Sequence, residues 1–319
     1  MATFATLTTL ASETALALYP ILIKTVPVTL QTQLLARLGT YSVAAFALAS
    51  PAERTIPFRW SSLGLGLMNF VHILASYVSY LYLPAGVALS LFYTYPFFNI
   101  LAGVLFLGDS FAAWTLPLLL LAFAGVLLIG YYTEAGSDKK VGGSTAAADA
   151  EGSSSQPATA AGNSSQPWEI AAGIALALLS AATESAIFLL AKFAGATPAG
   201  TMLQLYPAAL LPLAAWIFLQ PAVPAGAPAT SNSSPISATL PQTALLVGFN
   251  LIVGFLGYYL RMFSIPLLPT AVFSILTFVG VVAGYVWGLL FAKEVPTLGA
   301  LAGSGLIAAA VGLLKGFSK

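Results

Sequence analysis

Long apolar runs follow one another along almost the whole chain, separated by short polar or proline-marked breaks. A bilayer core of about 30 Å needs about 20 apolar residues per helix, and the runs reach that length repeatedly. Their apolar residues are continuous and do not alternate with period two, which favours helices over barrel strands. The pattern predicts an all-α integral membrane protein with ten transmembrane helices, at residues 5–24, 31–50, 60–83, 85–107, 111–131, 168–192, 199–219, 241–264, 268–291 and 296–315.

Two polar stretches interrupt this pattern. Residues 133–167 consist mainly of Gly, Ser, Ala and Thr, which bury too little apolar area to fold. Residues 220–240 are rich in Pro, Ala and Ser and are predicted to form a second loop. The chain is therefore predicted to comprise a first five-helix unit at 1–132, a disordered linker at 133–167 and a second five-helix unit at 168–319.

The fourth predicted helix recurs in the second unit. At an offset of 185 residues, PAGVALSLFYTYPFFNILAGVLFLGD (84–109) aligns with PTAVFSILTFVGVVAGYVWGLLFAKE (269–294). Each segment begins with proline and ends with an acid, Asp109 in the first and Glu294 in the second. A helix framed in this way is harder to produce by chance than single matches between apolar residues. The alignment indicates an internal repeat.

A second match places a glutamate at the start of each unit. Ser12-Glu13-Thr14-Ala15 in the first predicted helix resembles Thr183-Glu184-Ser185-Ala186 in the sixth. Because each unit has an odd number of spans, the second must enter the membrane from the opposite side. The sequence therefore predicts two inverted five-helix repeats.

The composition is typical of a membrane protein and disfavours nucleic-acid, metal and cofactor sites. Only 7% of the 319 residues are charged, 59% are hydrophobic and the mean hydropathy is +0.92, whereas soluble domains carry about 25% charged residues. A net charge of +1 gives no field for nucleic acid, so the lipid bilayer and a small-molecule substrate are the predicted partners. With no cysteine and one histidine, we expect no metal site and no cofactor.

The two glutamates are the first candidate binding residues. Glu184 precedes Lys192 by eight residues, or about 12 Å of helix, and Glu13 precedes Lys24 by eleven, or about 16 Å. An ionisable group at that depth costs roughly 2.5 to 3.5 kcal/mol, so it should face a cavity or a partner. Glu13, Glu184 and Lys192 are therefore predicted to bind a proton or a substrate.

A structural role is the alternative for these acids. Each glutamate could pair only with Arg37, His72 or Arg261 and fix helix packing. His72, beside Asn69 in the third predicted helix, is either an interhelical hydrogen-bonding residue or part of a proton relay. Arg37 and Arg261 lie near predicted helix ends, where long basic side chains extend to the interface.

Aromatic and amide side chains flank a proline in the fourth predicted helix. Tyr93, Tyr95 and Asn99 surround Pro96, where a kink frees a backbone carbonyl beside a potential cavity. Tyr258 is a similar candidate in the eighth helix. Such a cavity suits amphipathic, aromatic or cationic solutes. The alternative is that these tyrosines form the interfacial belt or pack between helices.

The two proline-to-acid segments and the spacing of Glu184 and Lys192 resemble the drug/metabolite transporter superfamily, within it the ten-helix EamA-like transporters. The Glu-to-Lys spacing is similar to that in the small multidrug resistance proteins, in which this glutamate exchanges a proton for a cationic substrate. The resemblance implies secondary active transport of small metabolites or drugs by alternating access, proton-coupled, in a monomer or a homodimer. The long central linker departs from the family, as does the lack of a proline at Gly280 or Val281 opposite Pro96.

Other functions are less compatible with the sequence. No G-x-x-x-x-G-K-[ST] phosphate loop occurs, which disfavours ATP-driven transport by this chain alone. A channel or facilitator without proton coupling remains an alternative, although the repeat offers no filter loop. An intramembrane hydrolase could be built from Ser304 and His72, but nothing supplies a partner that orients the base. We expect no enzymatic activity.

The predicted topology can be tested with single cysteines. The distribution of Lys and Arg places both termini in the cytoplasm and both linkers on the other side. The chain has no cysteine of its own, so Asn163→Cys and Lys315→Cys can be labelled without background. A membrane-impermeant maleimide should reach the two positions from opposite sides. Labelling of both from the same side would contradict the topology.

Overall fold

The chain is helical throughout the part that the computed structural model describes. The described residues are 2–83, 88, 91–110, 112–142, 167–193, 196–219, 238–292 and 298–317, and they contain no strand. The helices are α1 (Ala2–Leu16), α2 (Tyr19–Thr25), α3 (Leu30–Leu48), α4 (Trp60–Tyr82), α5 (Tyr95–Ala102), α6 (Thr115–Gly142), α7 (Pro167–Phe193), α8 (Pro198–Leu219), α9 (Leu240–Phe249), α10 (Leu256–Ser264), α11 (Thr270–Thr277), α12 (Val279–Ala292) and α13 (Leu298–Phe317). The predicted all-α class is confirmed.

Several of these helical segments have the length and composition of membrane spans. Within the described ranges, six are long and apolar enough to cross a bilayer: Thr3–Ile23, Trp60–Tyr82, Trp168–Phe193, Pro198–Leu219, Leu240–Leu267 and Thr270–Phe291. Shorter apolar helices are Tyr95–Leu107, Thr115–Ile129 and Leu301–Leu313. Large apolar side chains lie exposed on the outer surface, as with Phe218 at 85% and Leu240 at 82%. Such a surface suits contact with lipid.

Three of the apolar segments are interrupted near their middle. The first breaks between α1 and α2, ahead of Pro20, and the fourth breaks just before α5, ahead of Pro96. The segment 270–292 breaks at Phe278, where the Phe278 and Val281 amides donate to carbonyls three residues back. No proline causes this last break. An added Cβ at Gly280 would collide with the Tyr93 hydroxyl, so a buried tyrosine occupies the space beside it.

Helices α6 and α7 flank the first predicted linker. Helix α6 continues to Gly142, ten residues past the end of the predicted first unit, and α7 begins at Pro167. The rest of this linker, residues 143–166, lies outside the described residues, as do residues 220–237 of the second. Pro84 and Glu294, which frame the predicted repeat, also lie outside them.

Small residues bring some helices together backbone to backbone. An added Cβ at Gly125 of α6 would lie 2.5 Å from the Gly303 oxygen of α13, and one at Gly303 would lie 2.5 Å from the Gly125 oxygen. On α4, a Cβ at Gly66 would lie 2.5 Å from the Ala208 Cβ and 2.7 Å from its carbonyl carbon, both on α8. Helix association in membranes depends on such close packing.

Two glycines of α4 give a matched test of this packing. Gly66→Ala should lower thermal stability by about 1 to 3 kcal/mol, because the new methyl group meets α8 backbone. Gly64→Ala should not, since nothing lies within 4 Å of its added Cβ and alanine favours the helix. Thermal unfolding of the two purified variants in detergent measures the difference. Equal stability would show that α4 and α8 are not in close contact.

Candidate functional site

The two predicted glutamates meet at one guanidinium. Arg261 of α10 lies with its Nη1 2.7 Å from the Glu184 Oε1 and its Nε 3.2 Å from the Glu13 Oε1. All three residues are buried, at 3% exposure for each glutamate and 5% for the arginine. The cluster joins α1, α7 and α10. We call Glu13, Glu184, Arg261 and His72 the ion cluster.

His72 completes the ion cluster from α4. Its Nε2 lies 3.1 Å from the Glu184 Oε2, and its Nδ1 lies 3.1 Å from the Ser180 carbonyl oxygen. A carbonyl oxygen only accepts, so we assign the hydrogen of the neutral imidazole to Nδ1. The contact between Nε2 and Oε2 then needs one further hydrogen, carried by either the imidazole or the carboxyl group.

The charges of the cluster lead to the same requirement. Two carboxylates and one guanidinium leave a net charge of −1 while His72 is neutral. One proton shared between Glu184 and His72 makes the cluster neutral. In a medium of low dielectric constant a buried net charge is costly, so the cluster favours binding one proton or one cation.

Aromatic side chains orient the guanidinium. The Arg261 Nη2 donates to the Tyr95 hydroxyl at 2.6 Å, and the Arg261 Cζ lies 5.2 Å from the centre of that ring. The Tyr258 ring lies 6.0 Å from the same carbon. Tyr95 is the first residue of α5, so the helix break before Pro96 places its side chain at the cluster.

A cavity of about 110 Å³ extends from the cluster along the bundle. Its charged lining residues are Glu13, Arg37, His72, Glu184 and Arg261, and its aromatic ones are Tyr19, Tyr77, Tyr80, Phe92, Tyr93 and Tyr258. Tyr80 lies near the end of α4, so the cavity extends towards the end of the bundle at which α4 ends and α7 begins. A space of this size can hold several waters, and its volume approaches that of a cavity that binds a small aromatic ring.

Four of the predicted site residues do not line this cavity: Tyr95, which contacts Arg261, and Asn69, Asn99 and Lys192. The Asn69 Nδ2 donates to the Leu205 carbonyl at 3.3 Å and ties α4 to α8. The Asn99 Oδ1 accepts from the Ser185 hydroxyl at 2.7 Å, one residue from Glu184. The Lys192 Nζ donates to the Leu268 carbonyl at 2.5 Å, two helical turns away from Glu184. Tyr93 and Tyr258 do line the cavity.

Both arginines differ from what their positions near helix ends predicted. Arg261 does not extend to the interface but is 5% exposed in the ion cluster, and Arg37 lines the cavity. The prediction is wrong because both side chains have partners inside the bundle, two carboxylates for Arg261 and the Tyr19 and Tyr41 rings for Arg37. A useful signal was available: two buried acids require a base. The pairing alternative had named Arg261 and His72 among the partners, and both pairings occur.

The serine of the hydrolase alternative lies elsewhere. His72 contacts Ser180, Thr183 and Glu184, all on α7, whereas Ser304 belongs to α13. Its neighbour Gly303 packs against α6. These contacts fit the packing role of small residues in α13 and give the hydrolase no support.

The other end of the bundle is held together by polar contacts. The Glu53 Oε1 accepts from the Thr197 hydroxyl at 2.8 Å and its amide at 3.2 Å, and the Oε2 accepts from the Ser50 hydroxyl at 2.8 Å. Burial opposes ionisation of Glu53, but these hydrogen bonds outweigh it and lower its pKa. At the same end of the bundle, the Thr270 hydroxyl donates to the Asp109 carboxylate. We call the contact of Glu53 with Thr197 and that of Asp109 with Thr270 the end latches.

Comparison with known proteins supports a transporter in general. No family model matches the chain. A segment of 54 residues is 37% identical to the uncharacterized transporter sll1319 of Synechocystis sp., and it covers 17% of this chain and 16% of that relative.

A likeness of fold extends much further. A solved structure, described only as a crystal structure of protein, has a TM-score of 0.62 and 16% identity and covers 96% of each chain. At that identity the likeness concerns the fold alone. Together with the six long apolar helices, the matched transporter segment indicates an integral membrane protein that resembles transporters.

Proposed function

We propose that this protein is a secondary active transporter that moves small organic solutes by alternating access and couples their movement to protons. The observation that carries the proposal is the cavity that ends at the ion cluster. A proton-coupled carrier needs a substrate cavity next to a group that can bind and release one proton. As in the drug/metabolite transporters that the sequence resembles, ten helices would form two inverted five-helix repeats.

Corresponding positions in the two proposed repeats support this organisation. Thr94, at the break before α5, corresponds at the offset of 185 to Val279, directly after the break at Phe278. Glu13 and Glu184, matched in the sequence, contact the same arginine. Two halves related by an axis in the membrane plane would bring equivalent positions to the midplane in this way.

The two ends of the bundle differ, as alternating access requires. The cavity extends towards the end at which α4 ends, whereas both end latches lie at the other end. Each latch joins the proposed halves, Glu53 to Thr197 and Asp109 to Thr270. In this arrangement the site would be open towards the side of the linkers and closed towards the termini.

Proton binding and conformation would be coupled through Arg261. Loss of the proton shared by Glu184 and His72 leaves one net negative charge beside the cavity. That charge would strengthen the hold of Glu184 on the guanidinium, or would be neutralised by a cationic group of a substrate. Because α1, α7 and α10 each carry one member of the cluster, a change in its charge acts on the packing of all three.

A channel or facilitator is the second candidate. It would need a continuous path through the bundle, and the end latches oppose one. Ohmic current through reconstituted protein would favour it, and saturable uptake with counterflow would favour the carrier.

Glu184→Gln tests the coupling directly. Glutamine keeps the shape of the side chain but carries no titratable proton, so flux driven by a pH gradient should fall at least about tenfold. The assay is liposome uptake of a pooled metabolite library under an imposed gradient. Glu169→Gln, in the first turn of the same helix, is the matched control and should transport normally. Undiminished proton-driven flux in a Glu13→Gln, Glu184→Gln double variant would leave the cluster with a packing role only.

The end latches can be tested through access to the cavity. In a Ser76→Cys variant the cavity thiol should react with an impermeant maleimide from the side of the linkers. Adding Glu53→Ala removes the acceptor of the Thr197 and Ser50 hydrogen bonds. Labelling from the opposite side should then rise several-fold. The reason is that the states open to the two sides would differ in free energy by only a few kcal/mol, so the loss of one latch would shift their populations. If Glu53→Ala leaves labelling from both sides unchanged, that latch does not control access.

A further inference from the structure

The two arginines of the cavity have different partners. Arg261 is bound by two carboxylates. Arg37, on α3, also lines the cavity, but no carboxylate in the described part of the chain lies within ion-pair distance of it. Its Nε is buried and makes no hydrogen bond. An arginine is charged at all pH values at which proteins fold, so Arg37 offsets the charge of −1 on the unprotonated ion cluster and leaves the cavity at +1 once that cluster has bound a proton.

Aromatic rings hold Arg37 in place. Its Cζ lies 4.6 Å from the centre of the Tyr19 ring and 5.6 Å from that of Tyr41. The two tyrosine hydroxyls are 2.7 Å apart, and the Tyr19 hydroxyl donates to the Asn250 Oδ1 at 2.6 Å. These hydrogen bonds fix the rings, and the rings fix the guanidinium. The site is therefore organised before any ligand binds.

The two tyrosine hydroxyls occupy the space where a side chain at position 254 would lie. A Cβ at Gly254 would meet the hydroxyls of both Tyr19 and Tyr41. Gly254 and Asn250 belong to the π-helical turn Asn250–Phe255, a feature often found at functional sites. Arg37 is stacked on aromatic rings and no described carboxylate contacts it, so its guanidinium is available to an anion from outside the protein.

We infer that Arg37 is a carboxylate-binding subsite and that the transported solute is an organic carboxylate with an apolar or aromatic body. This inference rests on the proposed transport function. The planar guanidinium matches a carboxylate through two parallel hydrogen bonds. The rings of Tyr77, Tyr80 and Phe92, which line the same cavity, would contact the body of the solute.

The charge balance of the cavity agrees with this ligand. With one proton bound, the ion cluster is neutral and Arg37 leaves the cavity at +1, which one carboxylate neutralises. Without that proton, an ammonium group on the same solute would balance the cluster. A solute with an amine but no carboxylate would leave the charge of Arg37 uncompensated. The carboxylate is thus the group that the cavity selects.

Three probes of one shape test this selection. They are 3-phenylpropionate, phenylalanine and phenethylamine, which carry a carboxylate, a carboxylate with an ammonium group, and an ammonium group alone. Each is added at millimolar concentration to the purified full-length protein, and the melting temperature is measured. A ligand that binds only the folded protein raises this temperature. We expect one or both carboxylates to stabilise the protein and phenethylamine to have no effect.

Substitutions then assign the effect to Arg37. Arg37→Gln should weaken carboxylate binding at least tenfold, and Arg37→Lys, which keeps the charge without the planar fork, should lie between. Arg59→Gln, an exposed arginine outside the cavity, should behave as the unmodified protein does. Each variant should elute from size-exclusion chromatography as one monodisperse peak, which shows that it is folded. Arg37→Lys provides a second variant in which binding can be measured if Arg37→Gln does not fold.

Several results would overturn the inference: no stabilisation by either carboxylate, equal stabilisation by phenethylamine, or an unchanged response in Arg37→Gln. Transport and subsite can also fail separately. Proton-driven flux of an amine that Arg37→Gln leaves intact would keep the transporter and remove the subsite. Stabilisation by carboxylates that depends on Arg37, without flux of any probe, would keep the subsite and remove the transport function.

Discussion

The buried contact of Arg261 with Glu13 and Glu184 is the interaction on which the other features depend. In a low-dielectric interior neither a carboxylate nor a guanidinium can be left alone without a large loss of stability. The helices that carry them, α1, α7 and α10, must therefore stay together at that level. His72 adds α4 through a contact that needs a hydrogen, so the same cluster that fixes the packing is the proposed proton-binding site.

Helix breaks determine what faces this cluster. The break before α5 directs Tyr95 towards Arg261, and the break at Phe278 leaves Gly280 beside the Tyr93 hydroxyl. Backbone groups freed at these breaks are tolerated because the breaks lie within the bundle, away from lipid. Close contacts between small residues, such as Gly125 with Gly303, hold the surrounding helices rigid. The result is a cavity lined by charged and aromatic side chains inside an apolar bundle.

The charged residues of the cavity have two kinds of partner. Acids and one arginine are joined in the ion cluster, and a second arginine, Arg37, is stacked on tyrosines without an acid beside it. A solute that neutralises both regions must carry groups in matching positions. Under the proposed function, proton binding, solute binding and helix packing would depend on one set of charges, which is how a carrier can avoid moving one partner without the other.

The sequence alone determined the helical class, the membrane environment and the two buried glutamates, because each follows from composition or from local spacing. It also pointed to Tyr93 and Tyr95, since aromatics beside a proline are a local feature, and to Tyr258 as a similar aromatic candidate. It placed Lys192 with Glu184 and both arginines at the interface, and it missed the break at Phe278, where no proline stands. Only the tertiary structure decided these points. Glu13, Glu184 and Arg261 come from distant parts of the chain, and the crossing, tilt and breaks of their helices bring them into contact. The periodicity within a single helix contains no information about such contacts, so the sequence could not show which charged groups meet.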